Sequence, residues 1–170
     1  MDLKNYIREV QDFPKEGIGF KDITTLLNNG EVFKKTIDMC VENVSEFDFD
    51  VIVGPEARGF IVAAPMSYAL SKSFVPIRKP GKLPSETVSI EYELEYGVDK
   101  LEIHKDAIKK GQKVLIADDL LATGGTVNAI VKLIESMGAE VVGMVFIMEL
   151  SFLNARDLIG DYNIKSLIKY

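Results

Sequence analysis

With 170 residues the chain has the length of a single domain. Its one Cys, Cys40, and one His, His104, exclude an internal disulfide and a zinc site built from His and Cys. Twenty Lys plus Arg stand against 26 Asp plus Glu, and the net charge of -6 argues against a nucleic acid backbone as the main partner.

Apolar spacing predicts a short amphipathic helix over residues 3–10. Residues 13–27 hold a Pro, two Gly and few periodic apolar side chains, so that stretch reads as mostly irregular. Helical spacing returns over 31–47. An apolar run at 51–53, ended by Gly54 and Pro55, predicts a strand, followed by a helix over 60–70 and a strand over 74–78. Residues 87–94 alternate Val88, Ile90, Tyr92 and Leu94 with polar residues, as a half-exposed strand does, and 101–103 supplies a hairpin partner past Gly97. An antiparallel flap is therefore expected within 79–104. Residues 113–117 read as a buried strand, 126–137 as a helix closed by Gly138, 140–149 as a long strand, 152–158 as a helix and 164–168 as a last strand. This alternation predicts an α/β fold: an open, mostly parallel sheet with helices on both faces, and ligands beyond the carboxyl ends of its strands. With no repeat and no linker, one domain is expected over 1–170. No apolar run approaches the roughly 20 residues of a membrane span, and the first 21 residues have no secretory apolar core, so a cytoplasmic protein without membrane contact is expected.

The segment at 114–126, Val-Leu-Ile-Ala-Asp-Asp-Leu-Leu-Ala-Thr-Gly-Gly-Thr, joins a buried strand to a helix. Thr123, Gly124, Gly125 and Thr126 put two hydroxyls and several backbone N–H groups at the helix start, where unpaired donors and the positive end of the helix dipole suit a phosphate. Asp118 and Asp119 would repel a phosphate but accept hydrogen bonds from sugar hydroxyls, so the whole segment matches ribose 5-phosphate. Taken alone, a Gly-rich turn beside a solvated acidic pair is the competing reading. Gly54 and Gly59 have the spacing of a nucleotide-binding P-loop, but Phe60 and Ile61 replace the Lys and Ser/Thr that such a loop needs. Arg58 follows the strand at 51–53, a position from which a guanidinium can grip a pyrophosphate in two places. Arg78, Lys79 and Lys82 put three cations within five residues of an acidic chain, a composition suited to a polyphosphate. Glu91 and Glu93 read as the wet face of the flap strand, and His104, the lone His, receives no primary role.

The segment at 114–126 resembles the ribose 5-phosphate signature of type I phosphoribosyltransferases. The likeness continues in colinear order through Phe-Lys-Asp-Ile-Thr at 20–24, Gly-Pro-Glu-Ala-Arg-Gly-Phe at 54–60, Arg-Lys-Pro-Gly-Lys-Leu-Pro at 78–84 and Tyr-Glu-Leu-Glu-Tyr-Gly at 92–97. It is strongest to the members that use adenine. The resemblance implies a purine salvage reaction: transfer of a 5-phosphoribosyl group from phosphoribosyl pyrophosphate (PRPP) to adenine, giving AMP and pyrophosphate. Magnesium would arrive bound to PRPP rather than in a protein metal site, and the enzyme would be a homodimer, with Arg78 a candidate to reach the neighbouring site. The resemblance assigns Asp118, Asp119, Ala122, Thr123, Gly124, Gly125 and Thr126 to ribose 5-phosphate. It assigns Arg58, Arg78, Lys79, Lys82 and Tyr96 to pyrophosphate, with a non-proline cis peptide near Glu56 and Ala57. Glu95 becomes the candidate general acid or base, with Arg58 as its catalytic companion, in a flap that closes to exclude water.

The stretch 1–28 would form a hood over the base, in which Phe20 stacks on the purine while the backbone around Ile18 and Lys21 reads its edge. Adenine presents a donor at N6 and an acceptor at N1, which a carbonyl and an N–H match and a 6-oxopurine does not. Lys21 departs from the family pattern, where Arg often stands; this weakens a planar side-chain stack and leaves backbone reading unaffected. Xanthine, guanine or hypoxanthine as substrate would call for a different hood sequence over 17–24. A ligand sensor without catalysis would usually add a DNA-binding module, for which 170 residues leave no room. No Gly-x-Ser-x-Gly elbow and no dinucleotide fingerprint occur in the sequence, in keeping with a displacement that uses no protein nucleophile.

Overall fold

A computed structural model describes residues 1–94 and 97–170. The chain opens with a single 3-10 turn, Leu3–Tyr6, capped by the Asp2 carboxylate, which accepts from the Lys4 N–H at 3.0 Å. The expected helix stops there. Residues Arg8–Val10 form β1, which pairs antiparallel with β2 (Phe20–Asp22), inside the stretch expected to be irregular. The pairing is a long-range one that local periodicity does not register. The Arg8 Nε donates to the Asp22 carboxylate across the ribbon at 2.9 Å, and the same carboxylate accepts the Thr24 N–H at 2.9 Å to start α1 (Thr24–Leu27).

Helix α2 (Gly30–Asn43) begins where the Asn29 side chain accepts the Val32 N–H at 3.1 Å. It ends four residues before the expected Phe47, because the backbone tightens into i to i+3 bonds from Val44 to Val41, Ser45 to Glu42 and Phe47 to Val44. Strand β3 (Val51–Pro55), helix α3 (Arg58–Leu70) and strand β4 (Ser73–Ile77) form a parallel strand-helix-strand unit. The flap is a hairpin of β5 (Thr87–Leu94) and β6 (Gly97–His104), whose Val88, Ile90 and Tyr92 face the core while Glu91 and Glu93 are exposed. Strand β7 (Lys113–Leu121), helix α4 (Gly125–Ser136) and strand β8 (Glu140–Glu149) follow, with Gly138 closing α4 at φ 80°. The single helix expected over 152–158 is split into a 3-10 turn, Ser151–Leu153, and α5 (Ala155–Ile159). Asn154 between them adopts the left-handed conformation, which neither helix can pass through. Strand β9 (Ile164–Lys169) completes the sheet.

The central sheet has five parallel strands in the order β4-β3-β7-β8-β9. Both of its faces are covered, as the α/β expectation required. Val51, Val53, Ile116 and Phe146 point into one apolar layer with α4 and the flap, while Ile52, Leu115, Val145 and Ile147 point into the other with α2 and α3. Alternate residues of one strand thus enter opposite cores, which is why β8 reads as a nearly unbroken apolar run. Among the described residues, no helix is long and apolar enough to cross a membrane.

Candidate active site

Strand order reverses direction between β3 and β7, since β4 lies on one side of β3 and β8 and β9 lie beyond β7. At such a switch point the loops leaving two neighbouring strands diverge and open a crevice. Here the exits of β3 and β7 border a cleft of about 320 Å³, whose remaining walls are Lys79 and the flap residues Tyr92, Leu94, Asp99 and Leu101.

At the exit of β3 the Glu56–Ala57 peptide bond is cis, the geometry implied for this turn by the family resemblance. Close approach accounts for Gly59: a Cβ there would lie 2.7 Å from Pro55 Cδ and 2.9 Å from Asp118 Oδ1. The Glu56 carboxylate accepts the Lys79 N–H at 2.7 Å and sits 3.3 Å from Arg78 Nε, tying the exits of β3 and β4 together. No such part for Glu56 is expected from the sequence, although a carboxylate inside the candidate phosphate loop at 54–60 is a visible signal.

The acidic pair lies inside a strand, not in the solvated turn of the competing reading. Pairing of β7 with β8 continues through Asp118 opposite Phe146 and Leu121 opposite Glu149, four residues beyond the expected strand end. Asp119 is only 2% exposed and Asp118 is half-buried. Burial raises the pKa of the Asp118 carboxyl well above its ordinary value, and the charge of Asp119 raises it further. Burial raises Asp119 as well, against the pull of the Arg58 guanidinium. Arg58 Nε comes within 3.0 Å of Asp119 Oδ2, yet that buried oxygen accepts no well-oriented hydrogen bond among the described residues. An acceptor in this state gains from any hydroxyl that enters the cleft.

Beyond the pair, the chain turns through Ala122 and Thr123 into α4. Gly124 occupies the N-cap at φ 88°, where a Cβ would come within 3.1 Å of both Ala155 Cβ and the Ala155 carbonyl oxygen. Among the described residues no side chain caps α4, and its leading N–H groups open into the cleft beside Gly125 and Thr126. Thr123 is exposed at the mouth.

The cationic residues divide. Arg58 and Lys79 line the cleft, whereas Arg78 is turned to Glu56 and Lys82 is exposed outside the lining. Lys79 Nζ is bonded to Asp99 of the flap, and the Tyr92 hydroxyl donates to the same carboxylate at 3.2 Å. Neither Tyr92 nor Asp99 stood out as a polar site residue, because their pairing across the hairpin is a property of its register. Glu95 and Tyr96, the candidates at the flap turn, lie outside the described residues.

The hood approaches the cleft through Phe20, whose ring lies 5.5 Å from the Arg58 guanidinium carbon and 5.1 Å, edge to face, from the ring of Phe13. Phe13, Phe20, Val10 and Asp22 border a second, largely apolar cavity of about 290 Å³. Ile18 is exposed, and its carbonyl accepts the Phe13 N–H at 3.1 Å. The Lys21 side chain points away from Phe20, as alternation along β2 dictates: its Nζ bonds Glu9 at 2.6 Å and sits 4.5 Å from the centre of the Tyr170 ring.

Sequence and structure comparisons agree with this geometry. The family model of the phosphoribosyl transferase domain matches residues 22–169. Adenine phosphoribosyltransferase of Clostridium botulinum (strain Alaska E43 / Type E3) is 60% identical over 170 residues, covering 100% of this chain and 99% of the relative. The enzyme of the same name from Alkaliphilus metalliredigens is 58% identical and covers 100% of both chains. Among solved structures, adenine phosphoribosyltransferase from Thermoanaerobacter pseudethanolicus superposes with a TM-score of 0.97 at 54% identity, covering 99% of this chain and 98% of that one. The Saccharomyces cerevisiae enzyme, solved with adenine and an imino-altritol bisphosphate, has a TM-score of 0.90 at 40% identity, with 98% and 96% covered. A cleft formed where the sheet reverses, a family match over most of the length and end-to-end identity of this degree have one common meaning: the chain belongs to the phosphoribosyltransferases, in the adenine phosphoribosyltransferase family.

Proposed function

We propose that the protein converts adenine and PRPP to AMP and pyrophosphate, in purine salvage. The observation that carries this reading is the pair of half-buried Asp118 and buried Asp119, whose Oδ2 lacks a well-oriented donor among the described residues, set directly beside a helix start with no side-chain cap among them. A vicinal diol supplies the donors and a 5-phosphate fills the cradle.

In this reading residues 122–126 hold the 5-phosphate through N–H groups and hydroxyls, and the acidic pair orients the ribose. Fixing the sugar at both ends aligns its anomeric carbon with the incoming base. Displacement passes through a transition state with oxocarbenium character, and negative charge grows on pyrophosphate. Arg58 and Lys79 in the cleft supply positive charge against it, with Arg78 and Lys82 as further cations at its edge. The hard oxygens of the acidic pair would suit the neighbourhood of the magnesium that PRPP brings, without forming a metal site of the protein's own. When bound with PRPP, magnesium neutralises part of the leaving-group charge. Phe20 provides the stacking face for adenine and the backbone near Ile18 and Lys21 its edge, while Glu95 handles the proton on the purine and Tyr96 closes on pyrophosphate. One domain over 1–170, with the hood at 1–28 and the flap at 79–104, a homodimeric state and a cytoplasmic location complete the reading.

The test is AMP formation from adenine and PRPP with magnesium, beside guanine, hypoxanthine and xanthine. Turnover with adenine alone is expected. Turnover with another base would keep the ribose and phosphate roles and overturn the hood assignment. Asp119→Asn is expected to raise KM for PRPP strongly, and unchanged kinetics would overturn the diol assignment.

A further inference from the structure

Lys79 is the cation of the 78–82 run that lines the cleft, and its position is fixed at the root. Its N–H is held by Glu56 Oε1 at 2.7 Å, immediately after the end of β4. From there the side chain, 40% exposed, reaches the flap and pairs with Asp99, which is 25% exposed. The Asp99 carboxylate is built into the hairpin independently of Lys79. Register sets Tyr92 directly opposite Asp99, the Tyr92 hydroxyl donates to Oδ2 at 3.2 Å, and the Lys100 N–H donates to Oδ1 at 2.8 Å. The Tyr92 hydroxyl also lies 3.4 Å from Thr126 Oγ1, in the phosphate cradle.

These contacts make the two partners unequal. If the Lys79 ammonium leaves, Asp99 keeps two donors and is not orphaned, whereas the ammonium swings on a four-carbon stem above an open cleft. We infer that Asp99 is an internal competitor for pyrophosphate: it holds Lys79 in the empty cleft and yields the ammonium to the pyrophosphate group of PRPP. The inference rests on the reading of Lys79 as a pyrophosphate residue. Pyrophosphate wins the exchange because it carries more charge and more acceptor oxygens than one carboxylate. It nevertheless binds less tightly than to a free ammonium, because it must displace Asp99 and then lie near its negative charge. The backbone bridge between Arg78 and Glu102, with N–H to carbonyl distances of 2.9 and 2.8 Å, keeps β6 joined to the exit of β4, so the exchange moves the Lys79 side chain and leaves the flap anchored. Asp99 thereby acts on the substrate through Lys79, as a residue that weakens binding of both the donor and the released product.

Calorimetric Kd values for magnesium pyrophosphate and for PRPP, measured on the wild type, Asp99→Asn, Lys79→Gln and the double variant, test this. Asp99→Asn keeps the shape of the side chain, and Asp99→Ala, whose folding is checked by its melting curve, is expected to act in the same direction. Removing the Asp99 charge is expected to tighten pyrophosphate and PRPP by roughly two- to fivefold, the range given by a partly exposed ion pair, and to leave KM for adenine unmoved. In the Lys79→Gln background that gain should shrink, since the competition then has no object. A residue that merely holds Lys79 in place would give the opposite sign: weaker binding in Asp99→Asn overturns the inference, and so does an unchanged Kd. Pyrophosphate affinity unmoved by Lys79→Gln alone would overturn the underlying reading of Lys79 and the exchange with it. That failure is distinguishable because it shows in the single Lys79 variant.

Discussion

Glu149, the last residue of β8, offers a pH-resolved test of how the Gly124 turn at the cleft is supported. Its side chain is 4% exposed by residue and takes three charge-assisted bonds: from Arg156 Nε at 2.7 Å, from Arg156 Nη2 at 2.8 Å and from the Ser166 hydroxyl at 2.6 Å. Arg156 follows Ala155, the residue packed against Gly124 at the cradle, so the pair pins α5 to the site. The Arg156 guanidinium, with help from Ser166, brings the Glu149 carboxyl down from 4.5 to about 2. A depression of that size corresponds to about 3 kcal/mol of stability at neutral pH. Because the folded pKa is the lower one, this stability is fully present above the unfolded value of 4.5 and is lost as pH falls through about 2. In Glu149→Gln the charge is gone and the shape kept. Arg156, 40% exposed on its side chain, recovers water, which trims the expected loss to about 2 to 3 kcal/mol, or roughly 6 to 10 °C in Tm for a chain of this size. Urea unfolding of both proteins at pH 7 and near pH 3.5 is the assay. The stability gap should narrow by about 1 kcal/mol at the lower pH, because there the Glu149 carboxylate of the unfolded wild-type chain takes up its proton while the folded one stays ionised. A gap below about 1 kcal/mol at pH 7, or one that stays constant between the two pH values, would refute the reasoning.

The acidic pair predicts the opposite trend. Asp118 is raised by burial and by Asp119, so its contribution to stability is lost as pH rises through the folded pKa; Asp118→Asn should melt higher than wild type at pH 7, increasingly so with rising pH, while turnover with PRPP falls. A lower melting point in Asp118→Asn would contradict this. Gly124→Ala combines a left-handed backbone with 3.1 Å contacts to Ala155, and is expected to cost about 1 to 3 kcal/mol and to raise KM for PRPP, read from melting curves and initial rates. Tyr170→Ala removes the ring facing Lys4 Nζ at 5.0 Å and Lys21 Nζ at 4.5 Å. It should loosen the hood strand that carries Phe20, raising KM for adenine about two- to fivefold with KM for PRPP unchanged; equal shifts in both would show a general loss of structure.

Elements whose stability is local were legible from the residues alone. β8 is apolar on both faces because both faces are covered, the Gly-rich entry to α4 exposes its amides whatever surrounds it, and the alternation of Val88, Ile90 and Tyr92 marks the inner face of the flap. The candidate phosphate and ribose residues fall in one contiguous segment, and for that reason they all line the one cleft. Residues 8–10 carry helical spacing yet form a strand, because their partners lie at 20–22 and a three-residue strand has too few positions to show its period.

What the tertiary structure alone decided is the set of partners brought together from distant parts of the chain. It buried Asp119 by extending β7 along β8, and it turned Arg58 to that carboxylate and to Phe20. It drew Arg78 to Glu56, sent Lys21 behind the hood toward Tyr170, and joined Lys79 to Asp99. Composition and spacing determined which charges stand near the carboxyl ends of the strands. Which of those charges face a ligand and which face one another depends on side-chain reach and burial, and both are set only when the sheet, hood and flap have packed.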